Sequence, residues 1–403
     1  MYQHQQIRRI GFIIAGGLAC LSLAFGFIPS YAKTNQAQSA GPSLSMRAIL
    51  PAETYTDGPP SGAALAARKT INGIKVPFTA QAAGSFSGIA RGMYKNTWLL
   101  LTGDGFDSKA NSADLQLRNI LVDVSWRKTD GTGDGTVNLG DWITLSDPNK
   151  HISTPIKNNA IPSRLLSNGD FTLLGIGRSS DNQTLWTVDS AANLMHFGND
   201  GILIDIHPLA GLANGSVQDI GIFPDGQSLL VALRMADKII VQAYTLAGAT
   251  KGSPWSYPLD GSADQTRGWM LINDHQALVI EQDGGQNADA KVKRIYLADL
   301  SNAPGGVITK TLLVDLLKID DPHNLGTDKA FGATANQFGL TPFSYPYQTI
   351  SSVYPFDSKT LIVINDNHFP FGTGRDPSKA SPTELIGVSL PNALDVQLKN
   401  TQQ

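Results

Sequence analysis

A short unit recurs along this chain, and its spacing limits the possible fold more than any other feature. Each copy has a polar turn, then an apolar strand of β-branched and leucine residues, then a polar tip. The five copies begin at Lys95, Asn182, Asp225, Asp274 and Asp357. The middle copies lie about 44 and 49 residues apart, whereas the outer gaps are about 87 and 83 residues. Short strands with a period in the forties are typical of β-propeller blades.

We therefore predict an all-β chain that forms a single β-propeller of about five to seven blades over residues 67–395. The two long gaps leave room for an extra blade or an insertion each. A β-sandwich is the alternative, but a sandwich needs no such period. The composition supports a large, turn-rich β domain, because 41% of the 403 residues are hydrophobic, only 16% are charged, and 40 are glycine.

The N-terminus resembles a secretory signal. Arg8 and Arg9 precede an apolar run from Ile10 to Ile28, and a small-residue cleavage motif ends at Ala32. We predict a signal peptide over residues 1–32 and a periplasmic or secreted protein. The alternative is an uncleaved membrane anchor, because the run is long enough to span a bilayer.

The only cysteine, Cys20, lies inside this apolar run. Lipidation of Cys20 is disfavoured, because Gly17 stands where a lipoprotein signal would have a leucine-like residue. Cleavage would leave no cysteine, which excludes disulfides and thiolate metal sites from the mature chain. Residues 33–66 are rich in Ala, Ser, Gly, Pro and Gln, so we predict a flexible leader there.

The charge pattern limits the partners. The net charge is −3, and the chain has no basic run and no stripe of basic and aromatic residues. The sequence therefore lacks the clustered positive charge that is typical of nucleic-acid-binding proteins. We expect a small-molecule substrate or ligand, no membrane contact after signal cleavage, and an oligomeric state that the sequence leaves open.

Polar side chains follow the last apolar strand, at the point where we expect it to end. Asn365, Asp366 and Asn367 come directly after this strand, and carboxylate and amide oxygens in a tight group suit Ca²⁺. His368 would add a proton-transfer group, and Arg375 would bind an anion. The alternative is a turn in which Asn and Asp cap the strand end and His368 only packs or hydrogen-bonds.

Acids occupy similar positions in earlier units. Glu281 and Asp283 follow the strand of the preceding unit, and Asp189 and Asp104 follow earlier strands. Acids at matching blade positions converge on one axis, where like charges raise pKa values or require a cation. Solvated loop acids are the alternative. The predicted site comprises Asp366, Glu281 and His368 as catalytic residues, and Arg375, Asn365, Asn367 and Asp283 as substrate-binding residues.

A second candidate metal site lies between Asp130 and Asp141. Its polar positions and its glycine at the sixth place resemble an EF-hand calcium loop. Asp130, Asp134 and Asp141 are therefore candidate metal ligands in this loop, and Asp366 is a candidate metal ligand in the first site. Thr132 departs from that pattern, and the flanking segments resemble strands rather than helices. Asp-Gly repeats are also ordinary hairpin turns.

Four segments resemble the phytase-like family, the "esterase-like activity of phytase" domain of exported bacterial proteins. They are residues 84–92, residues 217–229, residues 278–300 and residues 364–386. The last segment, with Asn365-Asp-Asn-His-Phe-Pro-Phe-Gly followed by Thr383-Glu-Leu-Ile, is the most similar. The resemblance spans about residues 70 to 391. It implies an exported propeller that hydrolyses a phosphoester or a related small ester.

The sequence departs from this family where acids are expected. Gly175-Ile176, Asp219-Ile220 and Ser351-Ser352 stand where the family places Glu at the start of an inner strand. The chain also lacks the nucleophile elbow of serine hydrolases and any zinc-like histidine spacing. We expect a calcium-supported hydrolase, and the alternative is a non-catalytic propeller that binds a small molecule, glycan or protein at its channel mouth.

Overall fold

The computed structural model of this chain describes residues 41–179, 181–211, 215–235, 238–327 and 342–398. The predicted signal peptide, Cys20 and residues 33–40 of the predicted leader lie outside these ranges. Within them, no helix has both the length and the apolar character needed to cross a membrane.

The described chain consists almost entirely of strands. The first are β1 (Ser43–Leu50), β2 (Tyr55–Thr56), β3 (Thr70–Ile71), β4 (Ile74–Lys75) and β5 (Gln81–Ala82). Blade 1 follows with β6 (Phe86–Arg91), β7 (Thr97–Thr102), β8 (Arg118–Ser125) and β10 (Thr136–Thr144), and the short β9 (Arg127–Lys128), which lies between the last two, pairs with β1. Blade 2 contains β11 (Leu173–Arg178), β12 (Thr184–Asp189), β13 (Asn193–Gly198) and β14 (Leu203–Pro208).

Three more blades complete the fold. Blade 3 contains β15 (Ser216–Ile222), β16 (Ser228–Arg234), β17 (Ile239–Thr245) and β18 (Thr250–Tyr257). Blade 4 contains β19 (Gln265–Leu271), β20 (Gln276–Gln282), β21 (Lys293–Asp299) and β22 (Thr309–Asp315). Blade 5 contains β23 (Thr349–Pro355), β24 (Thr360–Asp366) and β25 (Thr383–Ser389). Short 3-10 helices cover Ala63–Arg68, Asn287–Asp289, Pro304–Gly306 and Leu325–Thr327.

The inner strands form a closed ring. Strands β6, β11, β15, β19 and β23 each contact the next, and β23 contacts β6. This arrangement confirms the predicted all-β propeller and gives the described residues five blades. The five sequence units are the second strands, one in each blade, so the two long gaps contain insertions rather than extra blades.

The second strands were visible in the sequence because both of their faces are buried. Residues Leu229–Leu233 and Leu361–Ile364 are each at most 3% exposed. Such strands lose the polar–apolar alternation of a half-buried strand and become continuous apolar runs. The core is accordingly divided into five apolar clusters, one between each pair of neighbouring blades.

Strand β1 corrects the predicted flexible leader. It pairs antiparallel with β25 from Ser43 to Leu50 and so supplies the fourth strand of blade 5. Leu44, Met46, Ala48 and Leu50 alternate along it and are buried. The propeller is thus closed by an N-terminal strand, and the fold begins well before the predicted boundary at residue 67.

Residues 51–82 form a cap instead of a linker. Leu65, Ile71 and Val76 are buried in an apolar cluster that also contains Phe106 and Phe369, from the loops that follow β7 and β24. The cap therefore holds together two loops from different blades, and these loops carry the candidate site.

Candidate functional site

A cluster of two carboxylates and one imidazole lies beside the first residue of the inner strand β23. Thr349 opens β23 and pairs with Asp366, the last residue of β24. Asp104 follows β7, and His368 follows β24. Ligand atoms of Asp104, Asp366 and His368 all lie within 4.8 Å of one another. We call Asp104, Thr349, Asp366 and His368 the upper mouth.

The His368 ring lies between the two carboxylates. Its Nδ1 is 3.8 Å from Asp104 Oδ2, and its Nε2 is 3.9 Å from Asp366 Oδ2. The same Nε2 forms a 2.8 Å hydrogen bond with Thr349 Oγ1. The backbone N–H of His368 donates to Asp366 Oδ1 at 2.7 Å. The threonine hydroxyl thus orients the imidazole, and both carboxylates lie within ion-pair distance of it.

Aromatic packing positions both loops of the upper mouth. Phe106, two residues after Asp104, and Phe369, next to His368, both contact the Phe78 ring, with centroids 5.1 and 5.0 Å away. The side chain of Asp104 is nevertheless 36% exposed, whereas that of Asp366 is only 3% exposed. The cluster therefore has one face open to solvent and one face held in the fold.

Burial changes the acidity of the upper mouth. It raises the pKa of Asp366 to about 6; His368 opposes the rise, and the nearby Asp104 carboxylate adds to it. A carboxyl group in this range exchanges a proton near neutral pH, as general acids and bases do.

Asp219, on the inner strand of blade 3, binds the backbone of the inner strand of blade 4, which carries Arg267. Asp219 Oδ1 accepts the N–H of Ile220 at 2.7 Å, and Oδ2 accepts the N–H groups of Gly268 and Trp269. Burial raises the pKa of Asp219 to about 6, and the Arg267 guanidinium limits the rise. The same guanidinium also acts to lower the pKa of Asp366.

The donor set of the upper mouth fits a divalent cation. Two carboxylates and one imidazole converge, and like-charged carboxylates this close are stabilised by a cation. Ca²⁺ takes oxygen ligands, whereas Zn²⁺ and Mn²⁺ accept imidazole together with carboxylate. The calcium predicted from the sequence stays a prediction, and the imidazole of His368 adds Zn²⁺ as a candidate.

Asn365 and Asn367 are structural, which differs from the predicted substrate-binding role. Asn365 Oδ1 accepts the N–H of Glu384 at 2.7 Å, and its amide donates to the Pro382 carbonyl. Asn367 Oδ1 accepts the N–H of Ser85 at 2.8 Å. Both side chains are fully buried. They connect the strand end to neighbouring loops, which is the capping alternative.

Arg375 is likewise occupied, so its predicted role as an anion clamp is corrected. Its Nε and Nη2 donate to Glu384 Oε2 at 3.0 and 2.9 Å, and its Nη1 donates to the Ser344 carbonyl. Glu384 also accepts from Arg47 Nε at 2.5 Å and from the Tyr347 hydroxyl at 2.6 Å. This buried network ties β1, β25 and the preceding loops together.

Glu281 and Asp283 do not reach the upper mouth, so their predicted roles are also corrected. Glu281 is fully buried, accepts from the Tyr257 hydroxyl at 2.7 Å and pairs with Lys310. Asp283 lies 3.1 Å from Lys293 Nζ. Burial acts to raise the pKa of Asp283, but the Lys291 N–H and the Lys293 ammonium hold it below its usual value. Both acids therefore neutralise buried lysines.

Asp130 and Asp134 belong to an exposed hairpin between β9 and β10, and Asp141 lies within β10. Asp130 Oδ1 accepts the N–H and hydroxyl of Thr132, and Asp134 Oδ1 accepts the same groups of Thr136. Among the described residues these three acids do not form a metal-binding group. This geometry is that of the hairpin alternative.

Sequence reasoning missed Thr349 at the upper mouth, and it missed the contact between Asp219 and the backbone next to Arg267. All three lie on inner strands, which are short and interrupted by bulges, for example between Arg267 and Met270. The available signal was a single charged residue on the short strand that precedes an apolar second strand, such as Asp219 before β16 and Arg267 before β20. The bulges obscured it, because they disturb the period of two.

Comparison with known proteins gives one family match. The family model described as "Phytase-like: Esterase-like activity of phytase" matches residues 81–369. No curated protein matches the chain. Similar solved structures include a protein from Lactobacillus plantarum, 12% identical, with 79% of this chain and 78% of that chain covered and a TM-score of 0.34. Another is a structural genomics protein of unknown function from Bacteroides thetaiotaomicron, 11% identical, with 86% and 76% covered and a TM-score of 0.38.

Proposed function

Since this chain belongs to the phytase-like family, we propose that it hydrolyses ester or phosphoester bonds with the help of a divalent cation at its upper mouth. The observation that carries the proposal is the convergence of Asp104, Asp366 and His368 beside Thr349, the first residue of β23. We also propose that the protein acts outside the cytoplasm, as its N-terminal sequence predicts.

The residues of the upper mouth would have different roles. Asp104, Asp366 and His368 would hold the cation, which would supply positive charge to polarise the ester. Thr349 keeps the imidazole of His368 in place through its 2.8 Å hydrogen bond. The side chain of Asp104 is partly exposed, so a substrate can reach the cluster from that side. The side chain of Asp366 is buried and is therefore shielded from water.

The test is turnover of generic phosphomonoester, phosphodiester and carboxylester substrates after chelation and after addition of Ca²⁺, Mn²⁺ or Zn²⁺. Chelation should abolish activity, and one of the ions should restore it. Asp366→Asn and His368→Gln should each lower kcat/KM strongly, because each removes a direct ligand of the cation. Asp130→Asn, in the exposed hairpin, is the matched control and should change nothing. Full activity in the chelated protein, or in both site variants, would refute the proposal.

A non-catalytic binding propeller is the second candidate. It is favoured by the structural use of Glu281 and Arg375, which removes one residue predicted to be catalytic and one predicted to bind substrate. Cation binding at the upper mouth without turnover of any ester would support this candidate.

A further inference from the structure

A cavity of about 190 Å³ lies between blades 1 and 2, and no residue of the upper mouth lines it. Its rim includes Met93 and Tyr94, in the turn that joins β6 to β7, and these side chains are 63% and 67% exposed. Asp104 follows the other end of β7, so this rim and the upper mouth lie at opposite ends of the strand. We call this space the interblade cavity.

The wall of the interblade cavity is mostly apolar. Leu99, Leu121 and Ile143 line it from blade 1, and Leu185 lines it from blade 2. Leu99 pairs with Leu121 across β7 and β8, so both side chains belong to one face of the sheet. Among the described second strands, Leu99 is the single residue between the first and last positions that is not buried. Blades 1 and 2 therefore leave part of their interface unfilled.

Asn119 is the polar exception in this wall. It pairs with Ile143 and lies two residues before Leu121, so its side chain belongs to the same face. Asn119 is only 3% exposed, and its Oδ1 has no hydrogen-bond partner among the described residues. Buried side-chain oxygens are almost always hydrogen-bonded in folded proteins. An apolar cavity with an unpaired carboxamide in its wall has the character of a ligand site.

Arg178 forms a fixed part of the same wall. Its Nη1 donates to the Arg91 carbonyl at 3.1 Å, and its Nη2 donates to Asn199 Oδ1 at 3.1 Å. Asp141, an exposed residue of β10, also lines the cavity. One cation and one acid thus line it, and a charged ligand would give up hydration without a net counter-charge. The lining therefore favours a neutral ligand.

We propose that the interblade cavity binds a neutral small molecule with an aromatic or short aliphatic body and one hydroxyl group, which bonds to Asn119. A leucine-lined cavity of about 150 Å³ holds benzene, so a molecule of the size of phenol fits here. A hydroxyl group both donates and accepts, and it therefore matches a carboxamide in either orientation. This site is separate from the upper mouth and does not depend on the proposed function.

Calorimetric titration with phenol and with benzene tests the inference. The wild type should bind phenol more tightly than benzene. Asn119→Leu should weaken phenol binding by roughly fivefold to tenfold and leave benzene binding unchanged, because it removes only the hydrogen bond. Leu121→Trp should abolish the binding of both, because the larger side chain fills the cavity. Leu312→Trp makes the same change at an exposed leucine of β22 and should bind like the wild type.

Crystals soaked in 4-bromophenol locate the site, and we expect the anomalous bromine peak between Leu121 and Leu185. A wild type that binds neither compound, a bromine peak elsewhere, or equal losses of phenol and benzene in Asn119→Leu would overturn the inference. If Leu121→Trp does not fold, the phenol and benzene titrations of Asn119→Leu decide. A dimer that Leu121→Trp dissociates, without phenol binding, would also overturn it and assign the cavity to a second copy of the chain.

Discussion

Three buried charged residues, Arg47, Glu384 and Arg375, connect the last blade to the N-terminal strand. Glu384 lies between the two guanidiniums and is fully buried. Burial acts to raise the pKa of Glu384, but Arg375 and Arg47 hold it below its usual 4.5. The folded-state pKa is the lower one, so this carboxylate stabilises the fold above about pH 4.5, and the contribution is lost as pH falls through the folded-state value.

Glu384→Gln should therefore lower the free energy of unfolding by about 3–5 kcal/mol near neutral pH, because both guanidiniums lose their counter-charge while buried. Urea denaturation at several pH values measures this loss. The difference from wild type should shrink in acid, where the wild-type carboxylate also becomes protonated. The exposed Glu53→Gln serves as the control and should have little effect. A Glu384→Gln variant as stable as the wild type would contradict this account.

At the residue scale, the sequence indicated where polar groups gather but not which of them are free. Arg375 lies close to the conspicuous polar segment at Asn365–His368. Only the three-dimensional pairing with Glu384 shows that Arg375 is occupied. Arg375 is 9 positions from Glu384 along the chain, and Arg47 is 337 positions from it. Sequence spacing does not reveal such contacts.

At the element scale, burial decides which strands can be recognised from sequence. The second strands are buried on both faces and are continuous apolar runs. Strand β1 alternates and lies between segments rich in Ser, Gly and Pro, so its composition resembled a linker. Only its pairing with β25 shows that it closes the propeller.

Two substitutions within the predicted leader distinguish a linker from a closing strand. Ala48 is completely buried between blades 5 and 1, whereas Ala64 is exposed on the 3-10 helix of the cap. Ala48→Glu should lower Tm strongly or prevent folding, because it buries an unpaired charge. Ala64→Glu should leave Tm nearly unchanged. Equal, small effects in thermal denaturation would mean that residues 43–50 do not close the fold.

At the scale of the whole molecule, the five-fold arrangement determines which polar groups meet. The ring of inner strands brings Thr349 from β23 beside Asp104 from blade 1, although the two are far apart in sequence. The period in the sequence predicted the ring, and the predicted convergence of blade acids holds for Asp104 and Asp366. It fails for Glu281 and Asp189, because their side chains bond to lysine and to turn N–H groups instead.

The most direct test is crystallographic, with anomalous diffraction from crystals soaked in Zn²⁺ or Mn²⁺. We predict one ion at the upper mouth, bound by Asp104, Asp366 and His368 at about 2.0–2.2 Å for Zn²⁺. Asp366→Asn crystals should lose the peak under the same conditions. A soaked wild-type crystal with no anomalous peak at these three residues would contradict the account.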